Sequence, residues 1–456
     1  MNDPNGLVEL GGVHHLFFQH NPLATSFGRI HWGHATSSDL LSWTEHAIAL
    51  TPGDDGDYDQ DGCWSGCALV LPDGRVALLY SANRHQRQLP ALATAADVEL
   101  LGWAKSPANP VIAQWPPVAG LTDLRDHTVL REVDGWRQVV GAGRDQVVAG
   151  ARAADPVDGG RGGLLLSYVS EGDDVTSWRF DGVLLDGHLA DLPGEVWECP
   201  DIFLVAGGTA VVILSWYVRV SASEDSVVND VLWLTGPLTA GRFTPTRYGR
   251  LDLGDRCYAP QSYDAADGRR LMLGWLRTQL DPASAGLPSV GTATLPRQLS
   301  VLDGQLRQEP ARELDALVRT PAGVLRAESP VLDLSCAASA LELVVEATQN
   351  EQLAAVVLEL STPGGHTTTI ALSAFDAVTT WQRRDNAWVP TASRCTRARL
   401  LVDAGLIEIF TDDGRAAAHS DLTLVSVQRV ALSQAPGTCV VSVAVLSTPA
   451  AAKGGP

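Results

Sequence analysis

The residues of this chain best suited to chemistry are three carboxylic acids, Asp3, Asp126 and Glu198. Acid-assisted cleavage at a sugar centre needs two carboxyl groups of unlike acidity across one bond. In the retaining form they stand roughly 5–5.5 Å apart, so that one can reach the anomeric carbon directly. Asp3 is followed by Pro4 and Gly6, a tight turn that would fix the direction of its carboxylate. Glu198 lies between Trp197 and Cys199, apolar surroundings of the kind that favour a protonated carboxyl. A single Asp or Glu is more often a solvated surface charge or a turn cap, so the case rests on how the three are spaced.

That spacing comes from a repeat. A Gly turn followed by an apolar run recurs with turns starting at 11, 73, 134, 207 and 267, a period of 60–62 residues with one copy stretched to 73. Each copy reads as a tight turn feeding a buried strand. Asp3, Ser65 and Asp126 each precede their turn by eight residues and Glu198 precedes its own by nine. The chemically loaded residues therefore share one slot in successive repeats. Antiparallel units at a constant period predict an all-β protein, a five-bladed β-propeller over 1–307, whose innermost strands would bring that slot to one channel mouth. Residues 308–330 are polar and punctuated by Pro and read as a linker. Short alternating runs from Leu341 to Leu446 predict a β-sandwich over 331–449, and 450–456 read as a frayed tail.

Composition narrows the partners. The 456 residues are 45% hydrophobic and 19% charged, with a net charge of −20. That field repels nucleic acid and anionic lipid and favours a neutral small-molecule or oligosaccharide substrate. Seven cysteines, at 63, 67, 199, 257, 336, 395 and 439, make an odd set without a secreted disulfide framework. With no export signal at the N-terminus and no long apolar stretch, a cytoplasmic location is expected.

The motifs, taken in order, resemble glycoside hydrolase family 32, the invertases, inulinases and levanases. They are Met1-Asn-Asp-Pro-Asn-Gly6, Phe17-Phe-Gln-His-Asn-Pro22, His31-Trp-Gly-His34 and its continuation to Trp43, and Trp64-Ser-Gly-Cys67. Further along come Leu124-Arg-Asp-His127, Trp197-Glu-Cys-Pro-Asp201, Tyr258-Ala-Pro-Gln261, Leu295-Pro-Arg-Gln-Leu299 and Ile407-Glu-Ile-Phe-Thr-Asp-Asp-Gly414. The resemblance implies that Asp3 is the nucleophile attacking the fructosyl C2 and that Glu198 is the acid/base. It implies that Asp126, with Arg125, holds ring hydroxyls and stabilises the oxocarbenium-like transition state. Asn2, Gln19, Trp64, Ser65, Tyr258 and Trp275 match positions lining the fructose pocket, although Trp275 reads equally well as a core aromatic. It implies no metal and no cofactor.

The chain departs from that pattern at His127, where Pro is usual, and at Phe27, where Trp is usual. On an extended strand the His127 ring points away from the Asp126 face, and His127→Pro is expected to alter acceptor preference more than hydrolysis, the alternative being a packed strand residue whose replacement changes only stability. Cys63 with Cys67, and His31 with His34, do not make a four-ligand metal set. Gly159–Gly163 lacks the strand–helix context and the Lys-Ser/Thr of a phosphate loop, and Gly141-Ala-Gly143 is equally weak as a dinucleotide motif. Three alternatives stay open: transfer of fructose to another sugar or to itself as an anhydride, an inverting pentosidase, and a non-catalytic sugar-binding protein.

Overall fold

The computed structural model describes residues 1–145, 162–219, 227–277, 291–347, 353, 356–376, 379–384, 387–391, 395–421, 424–435 and 439–449. The expected tail, 450–456, and positions 159–161 of the glycine-rich stretch lie outside the described residues. The chain is nearly all β. Among the described residues no helix is long and apolar enough to cross a membrane.

Up to residue 310 the strands follow in sequence order as five antiparallel modules, the third and fourth joined in one sheet by the pairing of Gly143 with Val196. Their first strands are Pro4–Leu10, Gly62–Val70, Leu121–Glu132, Val196–Leu204 and Cys257–Asp264. Each first strand packs on the first strand of the next module, and the fifth packs on the first. The strands following the repeated turns (Val13–His20, Val76–Arg84, Gly135–Arg144, Thr209–Arg219, Arg270–Arg277) are the second strands of the five modules. They are apolar on both sides because each lies in mid-sheet with sheets stacked against both faces, and Val76–Arg84 is buried at eight of nine positions. Among the described residues no strand is shared between the first module and the fifth, and side chains close the seam between them. Leu7 N–H donates to Gln261 Oε1 at 3.1 Å, Tyr263 Oη meets His14 Nδ1 at 2.8 Å, and Leu7, Leu16 and Phe18 share an apolar cluster with Tyr263, Leu271 and Leu273.

Residues 308–330, expected as a linker, are ordered structure. Gln305–Pro310 is the last strand of the fifth module. Arg312–Ala316 forms a 3₁₀ turn that buries Leu314, and Val318–Leu325 is the edge strand of a six-stranded sheet. The Pro-punctuated composition misleads because Pro is compatible with an edge strand, and Pro321 sits at an irregularity of this ladder. The six-stranded sheet and a four-stranded sheet bury one apolar cluster that draws Leu341 and Leu343 from the first and Leu358, Leu360 and Val430 from the second. The hairpin Thr380–Arg384 and Ala387–Pro390 leaves this region altogether and extends the fourth module's sheet through Arg247–Arg250. There Trp381 stacks on Tyr248 with ring centroids 4.8 Å apart, and Trp388 Nε1 donates to Ala190 O at 2.9 Å.

The two regions are also locked by a buried ion cluster. Arg297, wholly buried, donates to Glu408 Oε2 at 2.8 and 3.0 Å, contacts Asp252 Oδ2 at 2.8 Å and donates to Gln308 Oε1 at 2.9 Å. This is the physical content of the Leu295–Leu299 motif: an arginine that joins the ring to the second region. Arg297→Met leaves two buried carboxylates, Asp252 and Glu408, without their shared counter-charge, and is expected to cost about 3–5 kcal/mol in denaturant unfolding. Glu408→Gln in the Arg297→Met background should recover part of that loss, and additive losses would contradict the pairing.

Candidate active site

A β-bulge stands at or just after the slot in all five first strands. The ladder slips between Asn5 and Val8, between Trp64 and Gly66, opposite Asp126, between Glu198 and Asp201, and between Tyr258 and Gln261. A bulge bends the strand and re-aims its side chains. The backbone turns left-handed at Gly6, Asp126, Cys199 and Ala259, with φ of 55°, 58°, 45° and 46°. For Cys and Ala that conformation carries a cost, which packing of the surrounding strands must hold in place. Pro200 and Pro260 fall within bulges, where no ladder N–H is required.

The bulges bring the acids together. Asp3 Oδ2 accepts from Ser65 Oγ at 2.7 Å, and Ser65 Oγ in turn receives Gln19 Nε2 at 2.5 Å. Cys199 stands between two acids, its thiol 3.6 Å from Asp3 Oδ2 and 3.4 Å from Asp126 Oδ2, while its N–H donates to Asp126 Oδ2 at 3.0 Å. Glu198 accepts from Arg125 Nε at 2.8 Å and from Tyr258 Oη at 2.6 Å. Residues from the first, second, third, fourth and fifth modules are thereby joined in one network.

Two of these acids hold their protons unusually well. Burial, with a smaller push from the charge of Glu198, raises Asp3 to about 6 against the pull of its bond from Ser65. Burial and the Glu198 charge raise Asp126 to about 7, with Arg125 opposing. The Arg125 guanidinium counters the cluster. It is 8% exposed, reaches Asp123 Oδ1 at 2.8 Å and Tyr217 Oη at 2.9 Å besides Glu198, and lies 5.9 Å from the Trp64 ring centre. Its own burial penalty is outweighed by the Glu198 charge first, and it stays charged.

The remaining predicted positions divide. Asn2 and Gln19 line a cavity of about 450 Å³ with Phe18, His20 and Asn21, beside the carboxylates rather than around them. Trp64 is half-buried with Phe27 packed edge-on at 5.4 Å, so Phe27, itself 59% exposed, covers the indole from the solvent side. Trp275 faces Tyr258 across the ladder and packs into the cluster of Tyr258, Met272 and Leu299, its indole N–H buried without an acceptor. The apolar setting expected for Glu198 is absent from its carboxylate. Strand alternation sends Trp197 into the module core, fully buried, and leaves Glu198 among polar donors.

His127 requires a further correction. At 2% exposure, with Nε2 3.1 Å from Ser81 Oγ, its ring is packed between modules and does not meet an acceptor sugar. Asp123, Tyr217, Cys199 and Ser81 were not anticipated. Asp123 could have been, since it is two residues before Arg125 and so shares its face of the strand. Tyr217 carries no local signal. Among the described residues no group of side chains could hold a metal. Cys63 points its thiol at Asp59 Oδ2 at 3.7 Å, and His34 meets His15 at 3.1 Å. Gly141 and Gly163 serve packing: a Cβ on either would come within 2.3 Å of Trp197.

Carboxyls that hold their protons bear on stability as well as chemistry. A native carboxyl that titrates above its unfolded value of 3.8 favours folding fully only below about pH 4. That contribution is lost as the pH rises through about 7. Asp126→Asn keeps an acceptor for the Cys199 N–H and removes the charge. It should raise unfolding free energy at pH 7.5 by on the order of 1–3 kcal/mol, with the gain vanishing near pH 4. Equal stability of the two proteins at pH 7.5 would contradict the burial described.

The family model "Glycosyl hydrolases family 32 N-terminal domain" matches residues 1–310. The sucrose-6-phosphate hydrolase of Escherichia coli is 34% identical over 338 residues, which cover 70% of this chain and 63% of that protein. A sucrose:sucrose 1-fructosyltransferase of Festuca arundinacea is 32% identical over 347 residues, 70% of this chain and 49% of its own length. The chain thus spans less than two thirds of the length of these relatives. Among solved structures, the Bombyx mori GH32 beta-fructofuranosidase BmSUC1 superposes with a TM-score of 0.76 at 24% identity, covering 99% of this chain and 92% of that one. With the bulged carboxylates in place and the match running from the first residue through the fifth module, the chain belongs to glycoside hydrolase family 32.

Proposed function

We propose that this chain is a retaining glycoside hydrolase that cleaves fructofuranosyl bonds of sucrose-like oligosaccharides or fructans through a covalent fructosyl-enzyme intermediate. The observation that carries the reading is the convergence of Asp3, Asp126 and Glu198 on one network with Arg125 between its acids. Asp3 attacks the anomeric carbon while Glu198 gives a proton to the leaving oxygen. Glu198 then takes a proton from water, which releases the sugar and restores Asp3. Tyr258 and Arg125 fix the Glu198 carboxylate between two donors. Asp126, turned into the site by its left-handed bulge, accepts from ring hydroxyls. Asn2, Gln19, Trp64 and Ser65 complete the fructose pocket, and Trp275 backs Tyr258 from the core. The frame of this reading is a five-bladed β-propeller ending near residue 310, followed by a β-sandwich that begins at the Val318–Leu325 strand.

Transfer to a sugar acceptor is the second reading, favoured by the similarity to the fructosyltransferase, because it proceeds through the same intermediate. Product analysis on sucrose, sucrose-6-phosphate, inulin and levan separates the two. Free fructose as the main product supports hydrolysis, and longer oligosaccharides support transfer. A chain that releases no fructose from any of them is not a fructosidase.

Two outcomes follow from the roles. Glu198→Gln keeps an acceptor for one of the two donors, Arg125 and Tyr258, and removes the transferable proton, so kcat should fall by roughly 10²–10⁴-fold with KM little changed. Activity within a few-fold of the unsubstituted enzyme would assign the acid elsewhere. Asp3 attacks only when ionised, so kcat/KM should decline as the pH falls below about 6. Ser65→Ala removes a hydrogen bond that favours the ionised form, and the acid limb should move to higher pH by roughly 0.5–1 unit. An unmoved limb would mean that another group sets it.

A further inference from the structure

Two bulges leave backbone groups without ladder partners. Ser65 is the residue skipped between Trp64 and Gly66, and Asp126 is the residue skipped between Arg125 and His127. Buried orphan backbone groups are costly and must find a partner elsewhere. Here one hydroxyl serves both. Ser81, fully buried on the second strand of the second module, donates from Oγ to Ser65 O at 2.8 Å and accepts from Asp126 N–H at 2.8 Å. His127 Nε2 lies 3.1 Å from the same oxygen.

Proton counting fixes the direction of that last contact. A serine hydroxyl has one proton and two lone pairs. The carbonyl of Ser65 can only accept, so the Ser81 proton goes there. Asp126 N–H fills one lone pair, and His127 must donate from Nε2 to the other. His127 is therefore the neutral Nε2–H tautomer, with Nδ1 bare and, in the structure, buried without a partner. A hydroxyl held on all three sides cannot rotate away from the two bulges it ties down.

We propose that His127, acting through Ser81, is a positioning residue for the reaction. It orients the hydroxyl that sets the bulge of Ser65, whose side chain holds Asp3, and the bulge of Asp126. This rests on the functional reading above for its catalytic consequence, though the tautomer itself does not. An apolar residue of similar size at 127 would fill the space and still release the hydroxyl, which separates positioning from packing.

The full chain carries the test, with sucrose or whichever fructoside the product screen shows to be cleaved. His127→Leu is expected to lower kcat about tenfold, with KM within about threefold, since one hydrogen bond to a reacting-group support is lost. His127→Gln, whose side-chain NH₂ can reach the Nε2 position, should return kcat to within about threefold of the unsubstituted enzyme. Ser81→Ala should lose at least as much as His127→Leu, and the double variant no more than Ser81→Ala alone. A His127→Leu enzyme within twofold in kcat, a His127→Gln no better than His127→Leu, or additive losses would overturn the positioning role while leaving the fructosidase reading intact. Nitrogen-15 spectra of histidine-labelled protein supply a readout without substrate. One ring should stay in the Nε2–H form from pH 5 to 8 and change its shifts in Ser81→Ala, and its absence would overturn the proposal even in a chain that cleaves no fructoside.

Discussion

Like charges crowded into a partly buried site set the terms for the rest of this molecule. Asp3, Asp126 and Glu198 are drawn together where solvation is poor, and the cost is visible in two acids that hold their protons to about 6 and about 7. A fold that tolerates this must supply fixed dipoles and counter-charge in place of water. Arg125 contributes the charge. Ser65, Tyr258 and the Cys199 amide contribute the dipoles, and every one of them sits at or beside a bulge.

The ring arrangement makes that supply possible. Five first strands, each packed on the next, carry five bulges, so each acid is served by donors from modules other than its own. Asp3 of the first module is held by Ser65 of the second, Asp126 of the third by the Cys199 amide of the fourth, and Glu198 of the fourth by Arg125 of the third and Tyr258 of the fifth. The outer structure keeps this register rigid. The Arg297 cluster and the Trp381 hairpin attach the second region to the fifth and fourth modules, which carry Tyr258 and Glu198.

The turn spacing was enough to bring the slot into view, because tight turns and alternating burial are local and leave their mark on neighbouring residues. The slot's bulged shape was not legible. It depends on Ser81 and His127 satisfying backbone groups of Ser65 and Asp126 from other strands, and no pattern within a strand encodes that. Glu198 was misjudged in its surroundings because adjacent residues on a strand face opposite ways. Trp197 beside it in sequence is in the core, and Tyr258, sixty residues on, is its neighbour in space. The Val318–Leu325 strand was hidden by a Pro that edge strands accept, and the Trp381 hairpin by pairing with a strand more than a hundred residues earlier.

The seam between the first and fifth modules has a consequence for how the protein comes into being. Because no strand is shared across it, the first module can form as soon as it is made, with Asp3 already on its inner edge. The partners of that edge arrive in order, and Gln261 and Tyr263, which close the seam, come near the end of the ring. At ribosomal rates of roughly 5–20 residues per second, the first module waits roughly 11–44 seconds for them. Throughout that interval its flank, with Leu7, Leu16 and Phe18, faces water instead of Tyr263 and Leu273. The nascent chain thus exposes a sticky surface for as long as its acids lack their partners from later modules, and closing the seam ends both conditions at once.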